Sequence, residues 1–203
     1  MSAKKYKIVQ TAGKMVGWVL GSVIRYRRRE VLETLRISLP EKSPDELNVI
    51  LNGMYKNLGI NVVEWMILPR IDADYLENRM VVENREFADE ALQNKNGSIL
   101  LTAHTGNFLM MCIFAGLEKI PLHLITKTIK PKWIHDKWVS TFNKLGIKFL
   151  PRRNSYRDCR KVLKKGEALG FILDQNMKRN EGIFVDFFGR PACTSPGLAF
   201  LSA

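Results

Sequence analysis

Cysteine is scarce: Cys112, Cys159 and Cys193 lie far apart, with no Cys-x-x-Cys pair among them. So few, so spaced, they form neither a disulfide framework nor a zinc site, and a reducing compartment is expected. Histidine is equally rare. His104, His123 and His135 make no His-x-x-x-His or His-Glu-x-x-His pattern, and the carboxylates are scattered, so no metal is expected. Negative charge is short too, with 20 Asp and Glu against 32 Lys and Arg and a net charge of +12. That surplus selects anionic partners: nucleic acid, lipid head groups or an acidic carrier protein. Zinc-finger spacing, RNP-like aromatic strands and a helix-turn-helix signature are all missing, so a nucleic-acid-binding protein stands only as an alternative reading and no nucleic acid is expected as partner.

Long hydrophobic runs are lacking as well. Ile8 to Ile24 is mostly apolar, but Lys14 interrupts it, and it is at or below the roughly 18 to 20 residues that a spanning helix needs. No small-residue cleavage site follows it. Instead comes a cationic collar, Arg25, Tyr26, Arg27, Arg28 and Arg29, of the kind that sits beside anionic lipid, although basic helix ends also occur in soluble proteins. Residues 1–30 are therefore read as a membrane-associating helix that lies on a bilayer. With no linker, repeat or low-complexity tract to divide them, residues 31–203 are read as one domain.

Ser43-Pro44-Asp45-Glu46 supplies a capping serine, a proline at the first helical position and a glutamate three residues after the cap. The spacing predicts a helix from Pro44 to about Met66, with Leu47, Ile50, Leu51, Met54, Leu58, Val62 and Trp65 as its buried stripe. Arg79 to Glu83 reads as a short strand and Glu86 to Gln93 as a helix. Beyond the Asn94 to Gly97 turn, Ser98 to Ala103 is a continuous apolar run, as in a strand covered on both faces. Leu122 to Thr126, Ile147 to Leu150, Ala168 to Leu173 and Ile183 to Phe187 repeat it, with helical segments at Trp133 to Leu145 and Tyr156 to Lys165 between. This alternation predicts an α/β fold with a mixed, mostly parallel sheet flanked by helices. Pro196 to Ala203 begins another helix and stops within two turns, so the C-terminal part is expected to be incomplete.

The segment Leu100-Leu101-Thr102-Ala103-His104-Thr105-Gly106-Asn107-Phe108 carries a strand into a histidine, a small-residue turn and a new apolar helix. Ligands of open α/β sheets bind at the carboxyl ends of strands, and an imidazole there titrates near working pH and can take a proton from a hydroxyl. Gly106 permits close backbone approach, and the turn at Gly106 and Asn107 aims backbone N–H groups at a developing oxyanion. A structural, hydrogen-bonded histidine is the alternative. Asp174 closes the Phe171-Ile172-Leu173 strand at the same edge, where it either orients His104 or caps the next turn. Arg152 and Arg153 follow another strand and either meet an anionic head group or carrier protein or are simply solvated. Phe108, Leu109 and Met111 belong to a helix apolar nearly all round, which is either core or the wall of an acyl-chain pocket.

His104-Thr-Gly-Asn-Phe resembles the histidine motif of the bacterial lipid A biosynthesis acyltransferases, in the lysophospholipid acyltransferase superfamily. Lys164-Lys165-Gly166-Glu167, Gly170 to Asn176 and Phe187 to Thr194 follow in the family's order and approximate spacing. The resemblance implies a glycerol-3-phosphate/lysophospholipid acyltransferase-like fold at the cytoplasmic face of a bacterial inner membrane. It also implies transfer of a fatty acyl group from an acyl carrier protein or coenzyme A thioester, as co-substrate and without a cofactor, to a hydroxyl of a lipid A precursor or related lysophospholipid. His104 would be the general base, and Lys178, Arg179, Gly189 and Arg190 would flank the acceptor's phosphates.

One position departs from the family pattern. Five residues after the histidine the family carries Asp or Glu, which orients the imidazole, and here that position is Leu109. Three explanations stand open: another carboxylate such as Asp174 substitutes, the chain is a catalytically impaired lipid-binding homologue, or the residue was exchanged deliberately.

Overall fold

The computed structural model describes residues 3–77 and 80–202. Contacts divide the chain into two compact units, Met1–Tyr75 and Leu76–Ala203. In the first, α1 (Ala3–Trp18) runs on through a π-helical turn (Val19–Val23) and is followed by α2 (Arg28–Ser38) and α3 (Pro44–Met66). The start of α3 is fixed by a complete capping box: the Ser43 hydroxyl accepts from the Glu46 N–H, and the Glu46 carboxylate accepts from the Ser43 N–H at 2.9 Å. That N–H, with Lys42 and the Ser43 hydroxyl, holds the Glu46 carboxyl down to about 2.

The buried face of α3 differs from the expected stripe. It consists of Leu47, Leu51, Tyr55 and Gly59, one residue every four, and then Glu64, while Ile50, Leu58 and Trp65 are 37%, 37% and 42% exposed. Small residues explain the shift. A Cβ on Gly59 would collide with backbone atoms of Gly13 and Gly17, so α1 and α3 touch backbone to backbone where both are glycine. The Tyr55 ring lies against Gly21, and its hydroxyl donates to the carbonyl of Tyr26. Counting only large apolar side chains puts the face one position off.

A short helix α4 (Ala73–Glu77) leads into the second unit, where α5 (Arg85–Leu92) precedes β1 (Ser98–Thr102) and α6 (Phe108–Leu117). Then come β2 (Leu122–Thr126), α7 (Lys132–Asn143), β3 (Lys148–Pro151), α8 (Tyr156–Lys164) and β4 (Ala168–Ile172). The four strands form one parallel sheet in the order β1-β4-β2-β3. Parallel strands joined by helices are covered on both faces, which is why β4 is buried from Ala168 to Phe171. Leu169 and Phe171 pack with Cys159 and Val162 of α8. Trp138 and Phe142 of α7 stack on Phe149 of β3.

Beyond the sheet, β5 (Ile183–Phe187) and β6 (Arg190–Thr194) form an antiparallel hairpin, and α9 (Gly197–Ser202) follows. The expected strand at Arg79 to Glu83 is absent among the described residues: 80–83 pair with nothing as a strand, and Arg79, like Ala203, lies outside them. The chain is thus a mixed α/β protein whose larger sheet is parallel.

Candidate active site

Register builds the site. Thr102 ends β1 opposite Ile172 at the end of β4. Two residues further along each strand stand His104 and Asp174, delivered side by side to the carboxyl edge of the sheet. Asp174 Oδ1 lies 2.7 Å from Nδ1 of His104, and Oδ2 accepts the backbone N–H of the same residue at 2.7 Å. Both oxygens of one carboxylate therefore hold one histidine, one by its ring and one by its backbone.

This grip sets the proton positions. An ionised carboxylate only accepts, so Nδ1 carries hydrogen and Nε2 of the neutral ring keeps its lone pair. Partial burial pushes the Asp174 carboxyl up, but hydrogen bonds from the His104 ring and backbone N–H outweigh it and leave the group below its ordinary range. The Phe108 ring packs edge-on against the imidazole, centroids 4.9 Å apart. The His104 side chain remains 33% exposed.

The turn after His104 is shaped by Gly106, whose φ of +53° suits glycine; nothing lies within 4 Å of where a Cβ would sit, leaving open space at this edge. Asn107 follows as the residue that starts α6, its carbonyl accepting from the Met110 N–H. On α6, Phe108 and Leu109 are half-buried, Met111 is half exposed, and Cys112, Ile113 and Ala115 face the interior. Burial pushes the Cys112 thiol up to about 11, so it is no thiolate nucleophile at neutral pH.

The basic candidates are spread over several loops. Arg152 and Arg153 leave β3, the strand at the opposite side of the sheet from β1. Three strand spacings of about 4.8 Å put them roughly 14 Å across from His104. Both are paired with Glu181, at 3.5 and 3.2 Å, a partner that sequence alone did not indicate. Lys178 and Arg179 are exposed on the loop between β4 and β5. Gly189 and Arg190 belong to the hairpin: Phe188 and Gly189, with φ of +54° and +66°, form its two-residue turn, and Asp186 accepts the Gly189 N–H. The structure thus unites His104 with Asp174 and distributes the cations over separate loops. Sequence analysis also missed Gln175, whose side-chain nitrogen lies 3.4 Å from Nε2 of His104. Its position directly after the strand-closing aspartate was the available signal.

The segment that holds the carboxylate is itself tied down. Asn176 Oδ1 accepts the Cys193 N–H at 2.8 Å, the Met177 N–H donates to the Cys193 carbonyl at 2.8 Å, and the Thr194 hydroxyl donates to the Leu173 carbonyl. Strand β6 therefore holds residues 173–177 by hydrogen bonds with Cys193 and Thr194.

The family model described as bacterial lipid A biosynthesis acyltransferase matches residues 4–203. A lipid A biosynthesis acyltransferase of Haemophilus influenzae is 23% identical over 200 residues, 97% of this chain and 63% of the relative. Phosphatidylinositol mannoside acyltransferases of Mycolicibacterium smegmatis and Mycobacterium tuberculosis are 24% and 26% identical, each over 66% of this chain and 45% and 44% of their own lengths. The chain spans less than two thirds of the length of these curated relatives. With a match over nearly its whole length, the chain belongs to the bacterial lipid A biosynthesis acyltransferase family.

Proposed function

We propose that this protein transfers a fatty acyl group from an acyl carrier protein or coenzyme A thioester to a hydroxyl of a lipid A precursor or related lysophospholipid. The observation that carries this reading is the His104–Asp174 pair, with Nδ1 held by carboxylate in a side chain that stays partly exposed. In that tautomer Nε2 takes the proton of the acceptor alcohol as its oxygen attacks the thioester carbon. Asp174 supports the imidazolium that forms, the role the family gives to the position where Leu109 stands. The imidazolium then protonates the departing thiolate, and no acyl-enzyme is needed. The oxyanion is assigned to the turn at Gly106 and Asn107, where α6 presents the positive end of its dipole.

A phosphate-bearing acceptor suits the cations of neighbouring loops: Lys178, Arg179 and Arg190 near the hairpin, and Arg152 and Arg153 across the sheet edge. The acyl chain would lie along the Phe108, Leu109 and Met111 side of α6. Membrane contact is assigned to α1. Among the described residues no helix is long and apolar enough to cross a membrane. Yet Ile8, Met15 and Trp18 are 61%, 65% and 63% exposed, beside Lys7, Lys14 and the Arg25 to Arg29 collar. An apolar stripe flanked by cations fits an anionic bilayer surface, here the cytoplasmic face of an inner membrane.

The test incubates the protein with lauroyl and palmitoyl thioesters of carrier protein and coenzyme A, each with a lipid A precursor, lysophosphatidylglycerol or a phosphatidylinositol mannoside. Mass spectrometry should show an acylated lipid that His104→Ala fails to make. Absence of product from every combination, or full activity of His104→Ala, refutes the proposal.

A further inference from the structure

Gln175 stands beside the ring nitrogen that this reading makes the general base. Its side-chain nitrogen is 3.4 Å from Nε2 of His104. Because Nδ1 carries the ring hydrogen, Nε2 presents a lone pair, and the NH2 end of the carboxamide is the end that can face it. At 3.4 Å the contact is longer than the roughly 2.9 to 3.0 Å of a strong N–H hydrogen bond, so this donor is held near the base without being consumed by it. The backbone beneath it is fixed. Asp174 on one side grips His104, and Asn176 and Met177 on the other are bonded to Cys193.

Resting on the reading of His104 as general base, we propose that Gln175 is a catalytic residue whose side-chain amide donates a hydrogen bond to the oxyanion of acyl transfer. An acceptor hydroxyl bound to Nε2 brings its oxygen to about 2.8 Å from that nitrogen. The thioester carbon lies one forming bond further, and its oxygen comes within about 3 Å of a donor placed beside Nε2, the distance at which such donors act. In the step, the alcohol oxygen forms a bond to the thioester carbon, its proton passes to Nε2, and the carbonyl π pair moves onto oxygen. The Gln175 N–H accompanies that charge. When the C–S bond breaks, the pair returns to the carbonyl, the thiolate takes the proton from Nε2, and ester and thiol leave. The amide is neutral throughout, so it stabilises the oxyanion without competing with Asp174 for the ring.

The test measures thiol release from palmitoyl-coenzyme A, with and without lysophosphatidylglycerol, in the full chain and in Gln175→Met and Gln175→Glu. Methionine keeps length and removes the donor, and glutamate puts an acceptor where the oxyanion forms. Gln175→Met should lower kcat about 10²- to 10³-fold with KM within about threefold, and Gln175→Glu at least as much. Unchanged thermal unfolding and an unchanged downfield Nδ1 proton resonance of His104 show that the pair survives the substitution. A kcat for Gln175→Met within threefold of the parent, or a loss confined to KM, overturns the assignment. Full activity of His104→Ala overturns the base while leaving Gln175 to be judged by its own kcat, and a parent chain that releases no thiol overturns both.

Discussion

Replacing Asp174 by asparagine changes one oxygen to nitrogen at a residue that accepts two hydrogen bonds. The backbone N–H of His104 is a fixed donor, so the single amide oxygen must face it. The NH2 group is then left opposite Nδ1, where it can only donate. Nδ1 must become the acceptor, and the ring proton moves to Nε2, the nitrogen that would have to take the alcohol's proton. The geometry is preserved while the tautomer is inverted. In a serine-protease triad the same exchange lowers kcat about 10⁴-fold, roughly 5 kcal/mol of transition-state stabilisation. The expected loss here is 10³- to 10⁴-fold in kcat at nearly constant KM, measured as initial rates of ester formation at saturating thioester. Nitrogen-15 spectra of labelled histidine should show the proton on Nε2 in Asp174→Asn and on Nδ1 in the parent. Asp174→Asn that keeps more than a tenth of the parent rate, or an unaltered tautomer, would show that the carboxylate does not act through the ring.

Three further outcomes follow from the structure. The depressed carboxyl of Asp174 contributes stability above the unfolded value of about 3.9 and loses it as pH falls through the lower folded value, so the stability gap between the parent and Asp174→Asn, read by urea titration, should hold from pH 7 to about 4 and close below that. Leu169→Ala, at a fully buried site between β4 and α8, should cost about 2.7 to 5 kcal/mol in the same assay. Gly59→Ala should push α1 away from α3, and limited proteolysis should then cut within residues 19–27 while the sheet-bearing unit stays resistant.

Much of the parallel sheet was legible because buried parallel strands are short apolar runs, and β2 begins and ends where such a run does; the run at β5 matched its bounds too, but that strand is exposed and antiparallel, not covered on both faces. The start of α3 was equally plain, since a capping box is a local signal. Strand β6 escaped notice because Arg-Pro-Ala-Cys-Thr neither alternates nor runs apolar, and its turn uses Phe188-Gly189 in place of Asn-Gly. Arg152 and Arg153 read as either anion-binding or solvated, not as ion-paired, because the carboxylate that engages them, Glu181, lies 28 residues beyond Arg153. The most consequential contact was half visible. The sequence placed both His104 and Asp174 at strand ends, but only strand order makes them neighbours, and β4 could have paired elsewhere.

Seventy positions of chain separate the imidazole from the carboxylate that holds it. A carboxylate one helical turn away would accompany its histidine even in a half-made protein. Here the two meet only when β1 and β4 zip together in one register, and a slip of a single residue would send one of them to the wrong face. A nascent or damaged chain would thus carry an unsupported ring, and the pair would form only at the moment the β1–β4 ladder closes.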